Sequence, residues 1–181
     1  MGKVKPKLTY RWYGSHVFLN KYIRKYFCKR IMEIGVFNGE NAKTMIEIAI
    51  LHVSPGEVEY YGFDFFSNYM FQQVEQKLKE TGCQFRLFKG NTVETLPRVV
   101  KTLPDMDLIF IDGGKSYFEV KSDWEHSRTL IHSGTAVFVH NYDFAGIRRM
   151  VDNISSVDYD VTIIYPVKDA ATAMIRKKGE L

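Results

Sequence analysis

The sequence lacks several features that define whole classes of protein. It has only two cysteines among 181 residues, Cys28 and Cys83, and their separation fits neither a metal-binding spacing nor a disulfide framework. We therefore expect both thiols to be reduced and structural. No apolar run approaches the roughly 20 residues of a membrane span, and the lysine-rich start at residues 1–7 has no apolar segment of signal-peptide type. These absences predict a cytoplasmic protein that does not enter a membrane.

Acidic residues are absent from the first 30 positions, which hold nine of the 25 lysines and arginines. The rest of the chain has 16 bases against 21 acids, so a basic segment precedes an acidic body. Aromatic residues lie among these bases, and such a segment can bind nucleic acid or another polyanion. The alternative is a solvated helix face with a loose tail, because charge runs usually face water. We divide the chain into a basic tail, residues 1–13, and a single domain, residues 14–181.

The strongest positive signal is a strand, a glycine turn and a helix within residues 30–51. Apolar residues predict a buried strand at 31–34, and Gly35 and Gly39 bracket a tight turn before a helical pattern. Glycine allows a ligand to approach the backbone closely, and the free N–H groups of a helix start favour anionic groups. Glu33 adds a carboxylate at the C-terminal end of the strand, where open α/β sheets bind ligands. The pattern indicates a nucleotide-like cofactor, and an ordinary strand-to-helix turn is the alternative.

A second predicted strand, residues 58–63, runs into Asp64, 25 residues beyond Gly39. An acid at this point can accept hydrogen bonds from both hydroxyls of a ribose, as an acid about 20 residues after the turn does in dinucleotide sites. The competing interpretation is a cap for the next helix. Phe65 and Phe66 follow, and one of them can lie against an adenine face, although a core role fits any single phenylalanine equally well.

The acidic-x-Gly-x-x-x-Gly pattern at Glu33, Gly35 and Gly39 resembles the first motif of class I S-adenosylmethionine-dependent methyltransferases. In that family the turn wraps the methionine part of the cofactor, and the strand carboxylate lies near its amino group. Adenine is contacted from the loop that here contains Asn91, for which a plain helix cap is the alternative. The resemblance implies S-adenosylmethionine as the cofactor, with these residues around it: Glu33, Gly35, Phe37, Asn38, Gly39, Asn41, Asp64, Phe65, Asn91, Thr92 and Asp112.

The rest of the chain alternates apolar strands with helical segments, which is typical of an α/β fold. We predict strands at residues 84–88, 106–112 and 135–139, then a hairpin of strands at 160–165 and 171–176. Five strand–helix units followed by an antiparallel hairpin match the class I methyltransferase architecture. The expected fold is a Rossmann-like α/β sandwich: a seven-stranded, mostly parallel sheet with a C-terminal antiparallel hairpin and helices on both faces.

Two predicted helices flank this sheet near the candidate site. Ser15 can cap a helix over residues 16–29, whose apolar stripe would pack on the sheet. A second helix is predicted over residues 117–131, and Ser133 with Gly134 would end it.

An acid and a lysine follow the fourth strand, at Asp112 and Lys115. Methyl transfer to an alcohol or phenol requires the acceptor to lose a proton and to be held in line with the methyl group. Catechol and caffeoyl-CoA type O-methyltransferases show a similar Asp-x-x-Lys, in which the Asp binds a divalent cation and the Lys is the general base. The resemblance implies these roles here, and an exposed turn lysine is the alternative. His140 is a second candidate for the base.

In those enzymes an Asp-Asn pair after the fifth strand completes the cation site, whereas this chain has His140 and Asn141. Imidazole in place of a carboxylate removes a charge and favours iron, nickel or zinc over magnesium. The expected ligands of a divalent cation are Asp112, His140 and Asn141. A hydrogen-bonded histidine that faces the acceptor without a metal is the alternative.

Together these patterns predict an S-adenosylmethionine-dependent methyltransferase that acts on the hydroxyl oxygen of a small molecule. A nicotinamide-dependent oxidoreductase is a rival, but the third glycine of Gly-x-Gly-x-x-Gly is missing. A cofactor-binding protein without catalysis is another. The basic residues within 1–30 leave an RNA or other polyanion methyltransferase as a further alternative, although the Lys-Asp-Lys-Glu order is absent from the strand ends.

Overall fold

Short apolar segments form a seven-stranded sheet at the centre of the protein. The computed structural model describes residues 16–179. Its strands are β1 (Arg30–Ile34), β2 (Glu59–Asp64), β3 (Gln84–Lys89), β4 (Met106–Ile111), β5 (Ile131–Val139), β6 (Tyr159–Ile164) and β7 (Thr172–Lys177). Their order across the sheet is β3-β2-β1-β4-β5-β7-β6. All run parallel except β7, which pairs antiparallel with both β5 and β6.

Within residues 16–179, six α-helices cover the two faces of this sheet. They are α1 (Val17–Tyr26), α2 (Glu40–Ala49), α3 (Asn68–Lys79), α4 (Thr92–Val99), α5 (Tyr117–Ser127) and α6 (Ala145–Asp152). The first three share one apolar core with the sheet and the last three share another. Successive residues of a strand face opposite sides, so Ile31 enters the first core and Met32 the second. Burial on both faces explains the nearly continuous apolar strands, and the predicted fold class is confirmed.

Two simpler expectations concern the cysteines and the membrane. Cys28 and Cys83 are both free and buried, and burial raises the pKa of the Cys28 thiol to about 12. Such a thiol is unreactive at neutral pH, as expected of a structural cysteine. Within residues 16–179, no helix has both the length and the apolar character needed to cross a membrane.

The first helix is shorter than predicted. It begins at Val17 and ends at Tyr26, because Phe27 adopts the left-handed conformation with φ of 55° and closes the last turn. The chain must then straighten to enter β1, and the N–H groups of Lys29 and Arg30 are both accepted by the Asp107 carboxylate. The predicted cap at residue 15 lies outside the described residues.

The fifth strand begins at Ile131, earlier than predicted, and the helix predicted over residues 117–131 ends at Ser127 and is followed by a 3-10 turn, Arg128–Leu130. Ser133 and Gly134 lie inside β5 and do not terminate a helix. The Thr135 hydroxyl accepts the His132 N–H at 2.9 Å and donates to the Met106 carbonyl oxygen at 2.5 Å. These bonds hold an irregular stretch, where the pairing with β4 shifts register. Side-chain hydrogen bonds thus keep residues in the strand that composition alone assigns to a break.

The register of the parallel strands aligns the predicted site residues along one edge. The first residue after β1, β4 and β5 in each case donates its N–H to a carbonyl oxygen near the end of the neighbouring strand, so the loops that follow these strands emerge side by side. This is the carboxyl edge of the sheet, where open α/β folds bind ligands. The joining backbone hydrogen bonds run from Gly35 N–H to Phe63 O at 2.8 Å, from Asp112 N–H to Ile34 O at 2.8 Å, and from His140 N–H to Ile111 O at 2.9 Å.

Candidate functional site

A cleft of about 680 Å³ opens along the carboxyl edge, within the size range of cofactor and small-molecule sites. Every predicted site residue except Gly39 lines it. Gly39 instead begins α2 with φ of 76°, and a side-chain carbon there would lie 3.1 Å from Val74 of α3. Glycine at position 39 is therefore needed for the conformation of the turn and for the close packing of α2 against α3. Three polar lining residues were not predicted: His16, Glu119 and Asp169.

The turn after β1 lies directly against the end of β4. Gly35 has φ of 91°, and a Cβ at this position would be 2.3 Å from the Asp112 carbonyl oxygen. Only glycine fits such an approach. Phe37 also has a left-handed φ of 51°, and its N–H is accepted by Asp64 Oδ2 at 2.8 Å. Asn38 stabilises the end of the turn by accepting the Glu40 N–H at 3.1 Å.

A buried polar pair forms the floor of the cleft below this turn. Glu33 is only 1% exposed and accepts hydrogen bonds from Asn41 Nδ2 at 2.8 Å and from the Tyr60 hydroxyl. Burial raises the pKa of Glu33 to about 8, although both hydrogen bonds oppose the shift. Asn41 Oδ1 is buried and has no hydrogen-bond partner among the described residues. Buried acceptors are nearly always satisfied, so the floor offers a place for a donor from a ligand.

Asp64 stands at the end of β2, facing the same cleft. Its two oxygens accept the N–H groups of Phe37 at 2.8 Å and Phe66 at 3.1 Å. Each carboxylate oxygen can accept a second hydrogen bond, so capacity remains for two ligand hydroxyls. Phe65 beside it is 67% exposed, which leaves its ring available to a ligand.

The loop between β3 and α4 borders the cleft next to Asp64. Asn91 caps α4 by accepting the Val93 N–H at 3.1 Å, so the capping role considered as its alternative is present. Its Nδ2 donors are separate from this bond. Thr92 begins the helix and also lines the cleft. The N–H groups of Val93, Glu94 and Thr95 are all accepted by Asn91, so the start of this helix is already capped.

Asp112 and Lys115 form an ion pair at the other end of the cleft. Lys115 Nζ lies 2.5 Å from Asp112 Oδ1 and 3.5 Å from the Asp112 carbonyl oxygen. The lysine side chain is 36% exposed and the carboxylate 27%, so both groups remain accessible from the cleft. A cation bound at Asp112 would have to compete with this ammonium group.

His140 is 5% exposed and both of its ring nitrogens have neighbours. Its Nδ1 lies 2.8 Å from Thr172 Oγ1, and its Nε2 lies 3.4 Å from Asp169 Oδ1. Burial lowers the pKa of His140, which the nearby carboxylates only partly oppose, so the neutral imidazole is favoured. Asn141 follows with a left-handed φ of 61°. The structure therefore brings Asp112, His140 and Asn141 to one edge but directs the imidazole nitrogens toward Thr172 and Asp169.

His16 and Asp169 complete this end of the cleft, and sequence reasoning missed both. Their side chains meet at 2.6 Å although 153 residues separate them in the chain. His16 precedes α1 and carries no motif. Asp169 lies in the loop between β6 and β7. Because β6 runs parallel to β5, both strands end at the carboxyl edge, and the loop after β6 lies there too. The strand topology is therefore the signal that could have identified Asp169.

A glycine turn and two strand-end carboxylates around one cleft define a Rossmann-like protein that binds a nucleotide-type ligand. A family model described as a methyltransferase domain matches residues 32–142 of the chain. The chain belongs to this methyltransferase family. The predicted resemblance to methyltransferases is thereby confirmed. Comparison with curated proteins found no match.

Several solved methyltransferases share the fold over most of their length. The O-methyltransferase TomG of Streptomyces achromogenes, in complex with S-adenosylmethionine, is 18% identical, with TM-score 0.73 and coverage of 90% of this chain and 78% of that one. An O-methyltransferase of Bacillus cereus in complex with S-adenosylhomocysteine is 18% identical, with TM-score 0.74 and coverage of 89% and 79%. A Staphylococcus aureus protein proposed to be a caffeoyl-CoA O-methyltransferase is 21% identical, with TM-score 0.68 and coverage of 91% and 84%.

Proposed function

We propose that this methyltransferase transfers the methyl group of S-adenosylmethionine to a hydroxyl oxygen of a small-molecule acceptor. The family match supports methyl transfer, and the structural neighbours are O-methyltransferases, two of them with S-adenosylmethionine or S-adenosylhomocysteine bound. The observation that carries the proposal is the cleft floor, where the unpartnered Asn41 Oδ1 adjoins Glu33 below the glycine turn. A primary ammonium group is the donor that such a pair of acceptors suits best.

The rest of the cleft suits the remainder of this cofactor. The α-ammonium group would lie at Glu33 and Asn41, and the ribose hydroxyls would donate to Asp64. The exposed ring of Phe65 and the loop of Asn91 and Thr92 would border the adenine. Gly35 and Asp112 would flank the methionine part, because their backbones are already in contact.

Bound S-adenosylmethionine supplies an electrophilic methyl group on a positively charged sulfur. The chain must then hold an acceptor oxygen in line with that group and remove its proton. Lys115 lies at the acceptor end and is held by Asp112 at 2.5 Å, so its amine is positioned beside the cleft. His140 is a second candidate base, because its neutral form can accept a proton. The family match supports neither nicotinamide-dependent oxidation nor action on RNA.

Binding and transfer can be tested separately. Calorimetry with S-adenosylhomocysteine should show one site per chain, and NADH should show no binding under the same conditions. Methyl-labelled S-adenosylmethionine should then label a member of a panel of catechols, phenols and sugars, and NMR of the product should place the methyl group on oxygen. Absence of S-adenosylhomocysteine binding, or a product methylated only on nitrogen or carbon, would contradict the proposal.

A further inference from the structure

Three side chains that commonly bind metals converge at the acceptor end of the cleft. His16 comes from the start of α1, His140 from the end of β5, and Asp169 from the loop between β6 and β7. One nitrogen or oxygen atom from each lies within 4.8 Å of the others. The closest approaches are 2.6 Å between His16 Nδ1 and Asp169 Oδ2, and 3.4 Å between His140 Nε2 and Asp169 Oδ1.

The surrounding residues orient the members of this cluster. Thr172 is fully buried, and its hydroxyl lies 2.8 Å from His140 Nδ1 and 3.5 Å from the Ala170 carbonyl oxygen. The hydroxyl thus links His140 Nδ1 to the Ala170 carbonyl, and in the tautomer with the proton on Nδ1, Nε2 presents its lone pair toward Asp169. Metal-binding histidines are typically oriented in this way by a partner on the second nitrogen.

The other two members are also held by the fold. The ring of His16 packs against Phe110, with ring centroids 4.9 Å apart, and 4.6 Å from His140. Asp169 Oδ1 accepts the Ala170 N–H at 2.9 Å. The cluster therefore consists of positioned side chains at the wall of the cleft, which leaves further coordination positions open toward it.

We propose that His16, His140 and Asp169 bind one divalent ion of the iron-to-zinc series at the acceptor end of the cleft. Two imidazoles and one carboxylate suit these ions better than magnesium, which prefers oxygen ligands throughout. To bind one ion together, His16 Nδ1 and Asp169 Oδ2 would move apart from their present separation of 2.6 Å. Asp112 is not part of this set, because its carboxylate already forms an ion pair with Lys115 at 2.5 Å. The set therefore differs from the ligands expected from the sequence, which are Asp112, His140 and Asn141.

The ion also bears on the reaction, a point that rests on the proposed function. An acceptor hydroxyl at an open coordination position would lose its proton more readily. His140 cannot act as a base while its Nε2 binds the ion. Lys115, on the neighbouring turn, is then the remaining candidate base, and it can act only after its ammonium group has lost a proton.

Metal binding is measured on the full chain without cofactor or acceptor. A negative result would therefore count against the metal site and would leave the proposed methyl transfer untouched. Metal-free protein is titrated with Zn²⁺ by calorimetry and with Co²⁺ by visible absorption. We expect one ion per chain, with Mg²⁺ giving no comparable binding. X-ray absorption at the zinc edge of the wild-type protein should show two imidazole ligands, a result that requires no variant.

Matched variants locate the ion. Asp169→Asn and His16→Gln should weaken Zn²⁺ binding by more than about 100-fold, and Thr172→Val by about 10- to 100-fold, the range for residues that orient a ligand. Asp112→Asn tests the alternative set and should leave the Zn²⁺ affinity nearly unchanged, because Asp112 is not a ligand in the proposed set. His132→Gln alters a surface histidine paired with Asp107 and should have no effect. Circular dichroism confirms that each variant is folded.

Three results would overturn the proposal. The first is wild-type protein that binds no Zn²⁺ or Co²⁺. The second is loss of the ion in Asp112→Asn together with its retention in Asp169→Asn, which would place it at Asp112. The third is an absorption spectrum at the zinc edge with oxygen ligands and no imidazole.

Discussion

The two ends of the cleft are built from different kinds of contact. The cofactor end, formed by the loops after β1, β2 and β3, draws Glu33, Asn41 and Asp64 from one continuous stretch of chain. The acceptor end, formed by the loops after β4, β5 and β6 and the start of α1, joins His16 to Asp169 across 153 residues. Local sequence therefore specifies the cofactor end, whereas the acceptor end depends on how distant segments pack.

Their hydrogen bonding differs in the same way. At the cofactor end, Asp64 is held by two backbone N–H groups, whose positions follow from the turn itself. At the acceptor end, the shortest contacts join side chains: Lys115 to Asp112 at 2.5 Å and His16 to Asp169 at 2.6 Å. A side-chain pair can be replaced by substitution without altering the backbone. Substitutions at the acceptor end can therefore change the ligand bound there while the cofactor end stays the same.

The largest expected effect is at the acceptor end. Lys115→Met keeps most of the side-chain length and removes the amine, so a base role predicts a fall in turnover of about 10²–10⁴-fold. S-adenosylhomocysteine affinity, measured by calorimetry, should barely change. His140→Gln is the matched comparison. If His140 is the base, His140→Gln shows the fall in turnover of about 10²–10⁴-fold, and Lys115→Met reduces turnover by less than about tenfold. Full activity in both variants would exclude this assignment.

The cofactor end should respond in affinity. Asp64→Ala removes the acceptor proposed for the ribose hydroxyls and should weaken S-adenosylhomocysteine binding by about 1.5–3 kcal/mol, the scale of hydrogen bonds to a charged group. Asp105→Ala makes the same change at an exposed acid before β4, at the opposite edge of the sheet, and should leave affinity unchanged. Equal affinities for the Asp64 variant and the wild type in calorimetry would refute the assigned role.

Buried Glu33 should make stability depend on pH. Its pKa rises to about 8 in the folded state from an ordinary value of 4.5, so the folded protein keeps a proton that the unfolded chain has lost between these values. The free energy of unfolding should therefore fall as pH rises through this window, by up to about 1.4 kcal/mol per pH unit.

Urea denaturation of the ligand-free protein at several pH values tests this slope. Glu33→Gln keeps the size of the side chain and cannot ionise, so the difference between wild type and variant isolates this one group. The same pH dependence in both proteins would show that Glu33 does not retain its proton.

The smallest effect is expected from removing residues 1–12, which lie outside the described residues. The basic tail has no periodic apolar pattern before the first helix, and the truncation keeps His16. We expect a change in the free energy of unfolding below about 0.5 kcal/mol, as for surface changes. Unchanged S-adenosylhomocysteine affinity would support a separate tail, whereas loss of binding in a soluble truncated protein would make the tail part of the site.

Sequence patterns predicted the fold well because each strand is short, apolar and followed by a turn. The carboxyl-end positions of Glu33, Asp64 and Asp112 follow from those patterns, since the parallel register aligns the ends of neighbouring strands. Element ends were less predictable. The left-handed Phe27 ends α1 early, and Thr135 keeps Gly134 within β5, because single conformations and side-chain hydrogen bonds override local propensity.

The sequence by itself determined the methyltransferase family, the seven strands and the residues that line the cofactor end of the cleft. These depend on short-range order, in which a motif and the strand that carries it lie next to each other in the chain. Only the tertiary structure decided that His16 and Asp169 meet beside His140. That contact requires α1 to pack on the sheet and the loop before β7 to return to the carboxyl edge. Neither packing event produces a periodic sequence pattern around His16 or Asp169. The two residues lie 153 positions apart, and any local repeat is far shorter.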